Sequence, residues 1–163
     1  MGDDHADRDE SFTRRTLIIG GVVAAVVVVI DQLTKALAVT ALADEPISLI
    51  ADVLQLALTR NTGASFSILT GNGTLIALVA VGVIVLVVAM LRRVNHRLEA
   101  VGLGLVLGGA IGNLLDRIFR GDGLLDGAVI DFIDFSFFPT FNVADTAINV
   151  GVILLLIAAI LRR

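Results

Sequence analysis

The sequence predicts an all-α integral membrane protein, with four transmembrane helices, a small extracytoplasmic β-sheet and a loop or helix at the periplasmic or outer face. Three observations carry this. The 163 residues are 56% hydrophobic and 17% charged, and the mean hydropathy is +0.94, which excludes an ordinary soluble domain. The apolar residues fall in four blocks long enough to cross a bilayer. The third is basic-residue placement: eight of the twelve Lys and Arg (Arg8, Arg14, Arg15, Arg92, Arg93, Arg97, Arg162, Arg163) lie in the two tails and one connecting loop. Both termini are therefore expected on the cytoplasmic side.

The expected single membrane domain, 1–163, opens with a solvated cytoplasmic tail, 1–15, holding five of the sixteen acids. The first span covers about 16–40. Thr13-Arg14-Arg15-Thr16-Leu17 resembles a twin-arginine signal, so a cleaved leader competes with a retained span; the long apolar stretch favours retention. The second span, about 74–91, is free of charge and runs into Arg92, Arg93, His96 and Arg97. The third, about 98–119, carries Gly104, Gly108 and Gly112 in a four-residue rhythm that permits close helix contact. The fourth runs from about 142 to 161. Outside remain about 44–73 and 120–141. Leu54 to Thr59 alternates with period two and reads as a strand. The second outer segment is rich in Phe and suits a membrane interface. Arg120-Gly121-Asp122 reads as a turn.

Helical rise places ionisable residues at one depth. Measured from the basic residue at each cytoplasmic end, Asp31 lies about 24 Å, Asp116 about 28 Å and Asp145 about 26 Å along its span. Asn113, Arg117 and Asn142 fall at the same level. Such groups cost about 2.5 kcal/mol or more each at membrane depth, so their convergence argues for a protein-lined polar site. Each also has a plainer reading. Asp31 and Lys35 form an i, i+4 ion pair, Arg117 snorkels to the interface, and Asn142 with Asp145 is a helix cap and its acidic first turn.

The chemistry is narrowed by what is missing. There is no Cys, and both histidines, His5 and His96, fall on the cytoplasmic side, which excludes a Ser-His-Asp triad in the cluster and leaves zinc without outer His or Cys ligands, a carboxylate-bound hard cation being an unsupported alternative. Net charge of −4 without a basic stripe speaks against nucleic acid. A Ser-Lys dyad of Lys35 with Ser65 or Ser67 is a minor alternative. Two carboxylates sharing a proton need no further special residue: one activates water while the other polarises a peptide carbonyl. Spacing leaves open which two aspartates pair, and the depth argument favours Asp116 over Asp131. An ion channel and an assembly protein compete with this reading; a channel requires polar groups through the full thickness, which the second and fourth spans lack.

Four segments, taken in order, resemble the lipoprotein signal peptidases, the type II signal peptidases of bacteria. They are Asp31-Gln32-Leu33-Thr34-Lys35; Arg60-Asn61-Thr62-Gly63-Ala64-Ser65-Phe66-Ser67; Gly108 to Arg117 with Val129-Ile130-Asp131-Phe132; and Phe141-Asn142-Val143-Ala144-Asp145-Thr146-Ala147. The resemblance implies an aspartic endopeptidase of the bacterial inner membrane. It would cleave diacylglyceryl-modified prolipoproteins before the lipidated Cys, without metal or cofactor, as a monomer among membrane lipids, and be blocked by globomycin. It assigns catalysis to Asp131 and Asp145. Substrate-binding or supporting positions are Asp31, Lys35, Arg60, Asn61, Gly63, Asn113, Asp116, Arg117, Asn142 and Ala144. Asp145 follows Asp131 by only fourteen positions, so a short helix or loop is expected over the site, with Asp126 and Asp134 as solvated loop acids.

Overall fold

The computed structural model describes residues 3–63, 73–123 and 125–162, with side chains from Arg14 onward. Four helices form: α1 (Asp3–Ala41), α2 (Gly73–Leu91), α3 (Arg97–Phe119) and α4 (Val143–Leu161). All four contain a stretch long and apolar enough to cross a membrane. Helix α1 begins well before the expected span, because no Gly or Pro between Asp3 and Ile19 interrupts it. Residues 3–15, read as a solvated tail, are thus helical in backbone.

Helix α3 is central. Over half of its span is buried, 56%, against 17–28% for the other three, and it packs on α1, α2 and α4. Small residues make this possible. A Cβ on Gly104 would come within 2.6 Å of the Gly20 carbonyl oxygen, and one on Gly108 within 2.7 Å of that of Ala24. Gly109 sits against the Ala144 carbonyl of α4 in the same way. The outward faces of α1, α2 and α4 remain apolar and exposed, including Val22, Leu33, Val85 and Leu156, as lipid-facing surfaces require.

Four antiparallel strands close one end of the bundle: β1 (Ile47–Ile50), β2 (Leu54–Asn61), β3 (Val129–Phe135) and β4 (Phe138–Phe141), in that order across the sheet. The strand expected over 54–59 is present and longer. The loop or helix expected within 120–141 is instead the β3–β4 hairpin, and no helix lies there among the described residues. Val129 to Phe135 is rich in β-branched and aromatic residues, a composition that favours a strand over a helix. Alternation also sorts its side chains. Phe132 packs with Ala38 and Leu42 at the end of α1, which turns Asp131 to the opposite side of the strand. Arg120, Gly121 and Asp122 form the expected bend after α3.

Candidate active site

The polar residues gather where the sheet meets the ends of α1, α3 and α4. Lys35 and Asp31 are fully buried. Lys35 Nζ lies 2.8 Å from Asp31 Oδ2 and 2.8 Å from Asp116 Oδ2, and donates to Asn113 Oδ1 at 2.9 Å. All three ammonium protons are then committed. The i, i+4 ion pair read from the sequence is real, and Asp116 completes it. Its other oxygen is held by Arg120 Nε at 2.8 Å, and the Ile130 amide donates to Oδ2 at 3.1 Å.

Asp116 is therefore saturated by structural partners, which weighs against the depth argument that favoured it. Rise along a helix gives depth but not azimuth, and Asp131 escaped it because that residue comes from a strand. Asp131 accepts from Asn142 Nδ2 at 2.7 Å and from Asn61 Nδ2 at 3.0 Å. Asn61 reaches it diagonally across the β2–β3 ladder, where Thr59 pairs with Asp131 and Asn61 with Val129. The Gly63 amide holds Asn61 in place by donating to its Oδ1 at 2.9 Å. This turn puts Gly63 at φ 109°, a conformation costly for any residue with a Cβ.

Asp145 accepts from Asn113 Nδ2 at 2.8 Å and from the Asn142 amide at 3.2 Å, while its own amide donates to Asn142 Oδ1 at 2.9 Å. The capping box anticipated from the sequence is thus formed. It does more than cap. The Asn142 side chain caps α4 through its oxygen and donates to Asp131 through its nitrogen, while its backbone amide donates to the Asp145 carboxylate, so one residue contacts both carboxylates. Asn113 is oriented likewise: its oxygen accepts from Lys35 and Asn142, which leaves its nitrogen to face Asp145.

Asp131 and Asp145 both line a cavity of about 600 Å³, walled by Asn61, Phe138, Phe141 and the α4 face bearing Asn149 and Ile153. Asp131 is 2% exposed. Burial, helped by the nearby Asp145 charge and opposed by the Asn61 and Asn142 hydrogen bonds, pushes its carboxyl up to about 6. Arg117 is 5% exposed and so does not snorkel. Its carboxylate neighbours are Asp131 and Asp116, and its Nη1 has no hydrogen-bond partner among the described residues.

The remaining expected residues divide. The Ala144 amide donates to Asp31 Oδ1 at 2.9 Å, locking α4 to α1. Arg60 is exposed on β2, opposite Ile130, and does not line the cavity. Asp126 is an exposed loop acid as expected, whereas Asp134 lies in β3 and accepts from Gln55 and Thr140. Sequence reasoning missed Gln32, whose Nε2 donates to the Gly112 carbonyl at 3.1 Å and Asp116 Oδ1 at 3.3 Å; its place beside Asp31 was the available signal. Ser65 and Ser67, the serines of the Ser-Lys alternative, lie outside the described residues; Lys35 is engaged with two carboxylates and Asn113. No three His, Cys, Asp or Glu side chains converge as a metal site among the described residues.

The family pattern described as signal peptidase (SPase) II matches residues 23–161. The chain belongs to the signal peptidase II family. Relatives include the lipoprotein signal peptidase of Rhodococcus jostii (strain RHA1), 48% identical over 91% of this chain and 74% of that one. That of Mycobacterium avium (strain 104) is 44% identical over 95% of this chain and 85% of its own length. Among solved structures, a bacterial membrane enzyme superposes with a TM-score of 0.75 at 31% identity, covering 86% of this chain and 87% of its own. Membership makes the chain a peptidase of a multi-pass membrane fold, in agreement with the four apolar helices.

Proposed function

We propose that the chain is an aspartic endopeptidase that removes signal peptides from diacylglyceryl-modified prolipoproteins by cutting before the lipidated Cys. The observation that carries this is Asn142, which fastens Asp131 and Asp145 to one another at the wall of a single cavity. In this reading the two carboxylates share one proton and titrate as a pair. The ionised member removes a proton from water as the water oxygen attacks the peptide carbonyl. The protonated member donates to that carbonyl oxygen, and collapse of the tetrahedral intermediate passes a proton to the departing amine.

The other residues act on these two. Asn61, Asn113 and Asn142 fix carboxylate orientation. Lys35 with Asp31 and Asp116 forms the buried ionic frame beneath them. Arg117, buried with Asp131 and Asp116 as its carboxylate neighbours, supports the charge balance of the site. In this reading the sheet faces the outer side, both termini are cytoplasmic, lipid chains stay in the bilayer while the cleavage segment enters the cavity, and globomycin competes for the same space. Arg60 and Gly63 support the strand and turn that carry Asn61.

The test is cleavage of a lipidated precursor by purified variants in detergent, with and without globomycin. Asp131→Asn and Asp145→Asn are each expected to lose roughly 10²–10⁴-fold or more in rate while inserting and folding normally. Retained cleavage by either variant overturns the assignment.

A further inference from the structure

At the other end of the bundle, nineteen residues and about 28 Å along α3 from Asp116, a second cavity of about 240 Å³ opens between α1 and the loop joining α2 to α3. It is lined by Arg15, Thr16, Ile18, Ile19, Asn95 and Arg97. Its volume is several times the roughly 30 Å³ share of one water. The wall is fixed: Thr16 is 2% exposed and its Oγ1 donates to the Val94 carbonyl at 2.7 Å, stitching α1 to the loop.

The groups presented to this cavity are donors. Asn95 Oδ1 is occupied by Arg162 Nη2 at 3.4 Å, which turns the Asn95 amide nitrogen toward other partners. Glu99, the acid in the first turn of α3, has its carboxylate drawn away by Arg162 Nη1 at 2.7 Å. Arg15 and Arg97 make no ion pair among the described residues. A cavity lined by two arginines and an asparagine, with no acid among its described lining residues, suits a phosphate.

We propose that this cavity binds the phosphate of an anionic phospholipid headgroup. The apolar half of the lining decides for a lipid over free phosphate. Ile18 is 57% exposed and stands one turn before the equally exposed Val22 on the outer face of α1, which gives an acyl chain a continuous track from the headgroup into the hydrocarbon. Arg15 lies where an apolar span begins, the level at which headgroup phosphates stand. The site is independent of the peptidase chemistry, and its occupancy is read without any cleavage assay.

The experiment is native mass spectrometry of the detergent-purified full chain offered phosphatidylglycerol or phosphatidylcholine, together with exchange of each lipid in nanodiscs. The wild type is expected to retain phosphatidylglycerol preferentially. Arg15→Gln/Arg97→Gln should weaken that retention about 30-fold, taking both cationic contacts together. Arg92→Gln/Arg93→Gln, which removes equal charge from the same loop outside the cavity, should leave it unchanged. Equal retention of the two lipids by the wild type overturns the proposal, as does an equal loss in the Arg92/Arg93 control, which would mean diffuse attraction. Displacement of phosphatidylglycerol by excess inorganic phosphate overturns the lipid assignment. If the double variant does not fold, Arg97→Gln alone should lose about five-fold, and no loss there counts against the site.

Discussion

Lys35 shows how much rests on one side chain. It neutralises two carboxylates that are themselves almost entirely buried and positions the Asn113 amide that faces Asp145. Lys35→Met would leave Asp31 as an uncompensated buried charge and Asp116 with Arg120 as its remaining ion-pair partner, a loss expected at about 3–5 kcal/mol, visible as a large fall in Tm of the detergent-solubilised protein. A melting curve within a degree or two of wild type would show that the frame tolerates a bare carboxylate at Asp31. Asp131 supplies a second residue-scale prediction. Its folded carboxyl is raised to about 6 from 3.8, so the folded state binds more protons than the unfolded state between these values. Its contribution to stability is full below about pH 4 and is lost as pH rises through about 6, a difference of roughly 3 kcal/mol at most. Asp131→Asn should flatten that part of the stability profile; an unchanged slope between pH 4 and 7 would locate the titration elsewhere.

Among the elements, α3 is the one whose sequence is constrained by contact. Gly108→Val would drive a side chain into the Ala24 backbone of α1, forcing apart helices that share the Asp31 and Lys35 frame. The expected cost is about 1–3 kcal/mol, with cleavage reduced because the frame shifts. Gly82 of α2 offers the contrast, since a Cβ there meets nothing within 4 Å; Gly82→Ala should leave Tm unchanged or raise it, helix propensity favouring Ala by about 1 kcal/mol. Paired melting curves and cleavage rates check both, and equal effects at the two positions would contradict the packing described for α3. The four apolar spans and the glycine rhythm were legible in the sequence because each depends on local composition and period, whereas the extension of α1 back to Asp3 was not. The hairpin over the site was not: its short strands are held by cross-strand partners remote in sequence, such as Gln55 with Asp134, which no local pattern reveals.

At the scale of the molecule, polarity is concentrated at the bundle end capped by the sheet, where Asp31, Lys35, Asn113, Asp116, Arg117, Asp131, Asn142 and Asp145 meet, while Arg92, Arg93, Arg97 and Arg162 mark the other end. This one-sided arrangement suits an enzyme acting at one membrane face better than a continuous polar pore. In the proposed topology the arginine-rich end lies in the cytoplasm. Because the chain has no Cys, single introduced cysteines report sidedness directly. Asp52→Cys, in the exposed turn between β1 and β2, should react with a membrane-impermeant maleimide in intact spheroplasts. Arg93→Cys should react only after permeabilisation, and the reverse pattern would invert the proposed topology.

What the sequence determined by itself was the four apolar spans, the period-two strand, the ion pair of Asp31 with Lys35 and the Asn142–Asp145 cap. All are set within a turn or a strand by composition, periodicity and nearest neighbours. Tertiary structure decided which aspartate faces which. Asp116 and Asp131 are alike in residue type and fifteen positions apart, yet one is consumed by Lys35 and Arg120 while the other is turned by its strand into a cavity beside Asp145. That choice depends on the azimuth of a helix and the facing of a strand, which packing alone settles.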